Sequence, residues 1–131
     1  MKKMTKKLIA LLLMLMLLLA GCGGEAELEI MKVSPEGISY VLHNHGSVPI
    51  TFGAAQGLEV LRDGSWQDLE PLRGDIAVIA ILYELAPGGV RDCGFYWQDI
   101  YGTLPPGQYR LVKSVTCGEE TQQLYAEFTI E

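Results

Sequence analysis

A chain of 131 residues has room for one domain, and for less than that once its N-terminal segment is set aside. Its formal charge of −6 hides an asymmetry: Lys2, Lys3, Lys6 and Lys7 are four of its ten basic residues, and no acid precedes Glu25. From Cys22 onwards the chain keeps 6 basic and 16 acidic residues, a formal −10 over 110 residues. That balance repels nucleic acid and anionic headgroups and argues against DNA or RNA as a partner.

The first element in chain order is an address. Four lysines precede an unbroken apolar run of 13 residues at 8–20. The run falls short of the roughly 20 residues a spanning helix needs. A charged start, a short apolar stretch and then small residues is the form of a secretory signal. Leu19-Ala20-Gly21-Cys22 resembles the lipobox of bacterial lipoproteins. That resemblance implies a lipoprotein signal peptide over residues 1–21 and a diacylglyceryl group on the Cys22 sulfur. Each buried methylene of acyl chains such as palmitate would hold the chain by about 0.8 kcal/mol. Residues 22–29 are then expected to be a short acidic tether. Residues 30–131 would form the domain, displayed on the extracytoplasmic face of the cell membrane.

After the tether come short runs rich in β-branched and aromatic residues, punctuated by turn residues. LEIMKVSP stops at Pro35-Glu36-Gly37, and ISYVLHN stops at Asn44-His45-Gly46-Ser47. VPITFG begins with Pro49, which places it at an edge or a strand start. LEVLRDGSWQDL is a hairpin in which Asp63-Gly64 suits a type I′ turn, because both central residues need positive φ. Alternation there puts Leu58, Val60 and Arg62 on one face, and Glu59 and Leu61 on the other. Residues 76–85 (IAVIAILYEL) fit a buried helix or a strand covered on both faces, with the isoleucines favouring the strand. VRDCGFYW, GQYRLVKSVTC and QLYAEFTI follow, the last two joined across Gly118-Glu119-Glu120. Seven to nine short strands spaced about 8 to 14 residues apart indicate an all-β fold, an antiparallel β-sandwich of two sheets.

Pro105-Pro106-Gly107 marks a corner ahead of the strand that opens at Tyr109. Gly107-Gln108-Tyr109-Arg110-Leu111 resembles the tyrosine corner of immunoglobulin-like sandwiches, where a Tyr hydrogen-bonds backwards and a core residue follows two places later. Leu111 stands where antibody domains place a Cys, so the antibody disulfide is not expected. The chain is also similar to the bacterial immunoglobulin-like domains of Gram-positive lipoproteins. The residues that carry this are Asn44, ITFG at 50–53, Asp63-Gly64-Ser65-Trp66, Leu85-Ala86-Pro87-Gly88 and YGTLPPGQYRLVK at 101–113. The resemblance implies an immunoglobulin-like fold and no particular activity. A weaker similarity, through Trp97-Gln98-Asp99 and Pro106-Gly107-Gln108-Tyr109, is to a bacterial proteinase-inhibitor domain.

Several residues invite a chemical reading. Cys93 and Cys117 lie 12 residues either side of Pro105. A chain folding back there would bring them to one end of the sandwich, and an oxidising compartment favours a disulfide of roughly 3 kcal/mol. Two free buried thiols remain the alternative. His43 and His45 share a face if extended, and His-x-His chelates copper or zinc. They are the only histidines in the chain, and a solvated turn around Asn44 is the simpler expectation. Phe95, Tyr96, Trp97 and Tyr101, with Asp92 and Asp99, could stack on a sugar, although alternation sends Phe95 and Trp97 towards a core. Glu25, Glu27, Glu29, Glu119 and Glu120 read as solvated surface.

No Ser-x-x-Lys, Gly-x-Ser-x-Gly or Cys/His arrangement for nucleophilic catalysis occurs, so neither an enzyme nor a cofactor is expected. The expected function is a monomeric, non-catalytic module anchored through Cys22 that binds a protein or envelope component of unknown identity. The alternative is an inhibitor of an extracellular protease, presenting residues 69–75 (LEPLRGD) or 102–107.

Overall fold

Apolar residues recurring at every second position give strands with one buried face. A computed structural model describes residues 25–74 and 80–131 of the chain. The signal segment, Cys22, Asp75 and residues 76–79 of the ambiguous apolar run lie outside the described residues. Among the described residues nine strands and one helical turn follow in order. They are β1 (Ala26–Ser34), β2 (Gly37–Asn44), β3 (Ile50–Gly53), β4 (Gly57–Arg62), β5 (Ser65–Asp68), β6 (Leu82–Leu85), β7 (Val90–Tyr96), α1 (Gln98–Tyr101), β8 (Gly107–Cys117) and β9 (Glu120–Ile130).

The strands form two antiparallel sheets, and the fold is an immunoglobulin-like β-sandwich. One sheet has the order β1-β2-β7. The other is built around β8, which pairs with β9 from Gly107↔Ile130 to Cys117↔Glu120. The opposite edge of β8 is shared: β4 takes its first half, with Val60 opposite Tyr109, and β3 takes its end, with Thr51 opposite Thr116. β5 lies beyond β4, and β6 lies beyond β3. Tyr109, Leu111, Lys113, Val115 and Cys117 all turn inwards from β8 and are buried. Leu28, Ile38, Tyr40, Leu42 and Phe95 meet them from the first sheet.

The corner forms as the sequence implies. Tyr109 folds its ring back over Gly107 and donates its hydroxyl to the Pro105 carbonyl at 2.7 Å. Leu111 is completely buried. Phe128 stacks against both Tyr109 and Trp97, with centroids 5.8 and 5.9 Å apart. Trp97 is completely buried, and its indole N–H reaches the Pro35 carbonyl at 2.8 Å. At the other end Asn44, 2% exposed, donates to the carbonyls of Val48 and Leu85 and accepts from the Gly46 amide. The Asp63-Gly64 turn has φ of 52° and 78°, both positive as a type I′ turn needs.

Three expectations meet a different outcome or a sharper one. The first sheet reaches further towards the N-terminus than the tether reading allowed. Ala26 and Glu27 pair with Asn44 and His43, and Ala26 and Leu28 are buried, so residues 26–29 are strand. Of the apolar run at 76–85, the described end at Leu82–Leu85 is strand.

The pairing of Cys93 with Cys117 is not formed, because Cys93 carries a free thiol. It sits mid-strand opposite Tyr40, beside that hydroxyl and the Lys113 ammonium. Cys117, 5% exposed, ends β8 four residues beyond Lys113. That is about 13 Å along a strand, well outside disulfide reach. The corner brings the two strands together, but at different heights.

Replacing Tyr109 with phenylalanine keeps the ring stack and removes one buried hydrogen bond. Tyr109→Phe is expected to lower stability by about 1 kcal/mol, read from the urea midpoint at unchanged slope. An unchanged midpoint would contradict the corner.

Candidate functional site

A lysine buried in a β-sandwich must find oxygen for its three ammonium protons. Lys113 is 2% exposed, and its Nζ donates to the carbonyls of Gly53 at 2.7 Å and Ala55 at 2.9 Å. A weaker third contact reaches Gln56 Oε1 at 3.5 Å. The Tyr40 hydroxyl donates to the same Gln56 oxygen at 2.9 Å. Inward alternation along β8 aims Lys113 at this spot, and β3 ends at Gly53 to offer its carbonyl. The ammonium thus gathers the end of β3 and the irregular residues 54–56 around itself, with the Phe52 ring 5.3 Å away.

No carboxylate pairs with Lys113 among the described residues. Burial is the main reason its pKa falls below the ordinary value; the Cys93 thiol opposes that shift and the Arg91 charge adds to it. Burial likewise raises Tyr40 well above 10.0, helped by Cys93 and opposed by Arg91. Arg91, from β7, lays its guanidinium 4.2 Å from the Tyr83 ring centroid and 5.7 Å from that of Phe52. These groups line a cavity of about 210 Å³ at the open side of the sandwich, between β7 and the edge formed by β3 and β6. In sequence Lys113 is only the last residue of YGTLPPGQYRLVK, and no motif singles out Arg91. Their juxtaposition depends on the pairing of β3 with β6 and on facing sheets, which no local spacing announces.

The residues singled out from sequence fall elsewhere. The His43 and His45 rings stack 5.2 Å apart, and each Nε2 faces its own carboxylate: Glu29 at 3.4 Å and Glu27 at 3.5 Å. Among the described residues no group of three or more His, Cys, Asp or Glu is placed to hold a metal ion. The aromatic cluster divides, with Phe95 and Trp97 buried and Tyr96 81% exposed on the outer face. Tyr101 packs edge-on against Phe95, so the four rings form no common platform. Glu119 and Glu120 lie at the β8–β9 turn, and Asp99 in the first turn of α1.

Of the two proposed inhibitory loops, the described part of the first exposes Leu72, whose amide bonds to the Ile100 carbonyl at 2.7 Å. The second carries Leu104 at its centre. That side chain is buried and its amide is tied to the Pro35 carbonyl at 2.9 Å.

A second polar cluster lies on the outer face of the larger sheet. Arg110 sits between the rings of Trp66 and Tyr125, 4.6 and 4.1 Å from their centroids. Its Nη2 and Nε meet Glu59 Oε1 at 2.6 and 2.9 Å. This cation is paired and stacked, and it braces neighbouring strands across the sheet.

Comparison with known proteins gives a family and little else. A family model described as "Bacterial Ig-like domain" matches residues 25–129. No curated protein matches the chain. Among solved structures, the archaellum periplasmic stator protein FlaG from Sulfolobus acidocaldarius is similar at 16% identity and a TM-score of 0.43. The match covers 79% of this chain and 99% of that one, and a likeness of this degree carries no functional argument.

The buried tyrosines fix a pH dependence. Burial raises Tyr40, Tyr101 and Tyr109 above their ordinary value of 10.0. Below that pH both folded and unfolded forms hold these protons, and the stabilisation is complete. Above it the unfolded chain ionises while the fold keeps its protons, so stability falls as pH rises. Lys113 has the opposite sign: its handicap is full at neutral pH and fades as pH rises towards 10.5. Three tyrosines outweigh one lysine. The urea midpoint is therefore expected to fall between about pH 10 and 12, and to fall less steeply in Tyr40→Phe. A pH profile of unchanged slope in that variant would contradict the placement of Tyr40.

Proposed function

The chain belongs to the bacterial Ig-like domain family, and on that premise we propose that it is a lipid-anchored extracytoplasmic lipoprotein. Its one domain binds a protein or envelope component and performs no catalysis. The observation that carries this reading is the closeness of the domain to the lipobox-like Cys22. The family match begins at residue 25 and β1 begins at Ala26. Four residues of chain span at most about 14 Å, so a lipid on Cys22 holds the start of β1 close to the bilayer.

That restraint gives the domain an orientation. The end nearest the membrane carries the turns at 45–49, 86–89 and 118–119, since β1, β3, β7 and β9 all start there. The far end carries Pro35, the Asp63-Gly64 turn, α1 and the Pro105 corner, and it is the end a partner meets first. The formal charge of −10 from Cys22 onwards keeps the domain surface off anionic headgroups, so the lipid rather than the protein surface does the holding. The inhibitor reading gains no support from the corner loop, where Leu104 is buried rather than presented.

Cys22→Ser removes the sulfur that would be lipidated. The variant is expected to leave the membrane fraction for the medium, or to accumulate with its signal segment uncleaved. Normal membrane retention would overturn the anchor.

A further inference from the structure

Six basic residues remain after the N-terminal lysines, and two of them, Arg91 and Lys113, border the same cavity. Neither has an ion-pair partner among the described residues, whereas Arg110 is paired with Glu59. Asp92 also borders the cavity but pairs with neither cation. In a domain with so large an excess of acid, two uncompensated cations around one hollow are a local inversion of charge. Lys113 is a buried charge without a counterion, which costs stability, and an anion entering the hollow beside the exposed Arg91 would recover part of that cost.

We infer that this cavity is a binding site for a small carboxylate. Its chemistry selects that class. Arg91 spends none of its guanidinium N–H groups on a described residue, and its planar fork matches a planar carboxylate through two parallel hydrogen bonds. Stacking on Tyr83, 4.2 Å from the ring centroid, holds the plane of the fork in place. Lys113 supplies a second positive charge behind it, with its weakest contact, 3.5 Å to Gln56, the one most readily given up to a ligand oxygen. The rings of Phe52, Tyr83 and Tyr40 offer apolar wall to a short carbon skeleton. A volume of about 210 Å³ admits a molecule no larger than an amino acid or benzoate.

The site is independent of Cys22 and of the far end of the domain. Its failure would leave the anchored-module reading standing, and release of Cys22→Ser from the membrane tests that reading separately.

The full chain in detergent is titrated with sodium benzoate and sodium acetate at constant ionic strength, against sodium chloride and inorganic phosphate, with the melting temperature as readout. A saturable rise with the carboxylates, absent with chloride and smaller with phosphate, is expected. Arg91→Gln, a change at an exposed side chain, is expected to weaken the apparent affinity about tenfold or more while leaving the ligand-free melting temperature nearly unchanged. Arg62→Gln, at the distant hairpin, is expected to bind as the parent does. A rise that never saturates, a stronger response to phosphate, equal loss in Arg62→Gln, or full binding in Arg91→Gln would each overturn the site.

Discussion

Phe128 stacks against both Trp97 and Tyr109, and this three-ring contact ties the segment leaving the smaller sheet to the two longest strands of the larger one. Large rings bury much apolar surface, and each polar atom they carry inwards must then find a partner. Both do so: the indole N–H bonds to the Pro35 carbonyl and the Tyr109 hydroxyl to the Pro105 carbonyl. Those two carbonyls belong to the turn after β1 and the turn before β8. Leu104 adds its own bond to Pro35 and plugs the space between them. The far end of the sandwich is thereby locked by rings inside and by backbone acceptors outside.

The rest of the interior is held by two buried polar side chains that act as hubs. Asn44 joins the turn after β2 to the end of β6, and Lys113 joins the middle of β8 to the residues that follow β3. Both hold short edge elements that bury little of their own. β3 and β6 have four residues each, and the ladder between β3 and β8 is registered at Thr51↔Thr116. Such pieces need a specific anchor where apolar area is scarce. The open side beside β6 and β7 is where that economy leaves a cavity, and Lys113 at its floor makes the cavity cationic.

Much of the fold was legible because it rests on local rules. Alternation located the strands, Asp63-Gly64 placed a hairpin, and Pro-Pro-Gly before Gln-Tyr placed the corner. Alternation also sent Phe95 and Trp97 inwards and Tyr96 out, as the structure has them. What was not legible depends on height and on which edges meet. Cys93 and Cys117 sit symmetrically about Pro105 in sequence, yet one is mid-strand and the other terminal. The acidic stretch at 26–29 looks like a tether because Glu27 and Glu29 are polar, but Ala26 and Leu28 between them point into the core. The cavity was hidden for the same reason, since Arg91, Tyr83 and Lys113 come from three strands that meet only across the open side.

The locked far end and the short reach from Cys22 to Ala26 together make one claim about how the domain stands on a membrane. The sandwich is roughly 35 Å long, the span of an 11-residue strand, and the proposed lipid on Cys22 would attach it by one end. The direct measurement places a fluorophore at either end of the lipidated protein in vesicles, on Val48→Cys or Thr103→Cys in a Cys93→Ser background. A quencher confined to the bilayer then reports which end is near. Strong quenching at position 48 and little at position 103 is the predicted result. Equal quenching at the two positions, or the reverse order, would contradict the account.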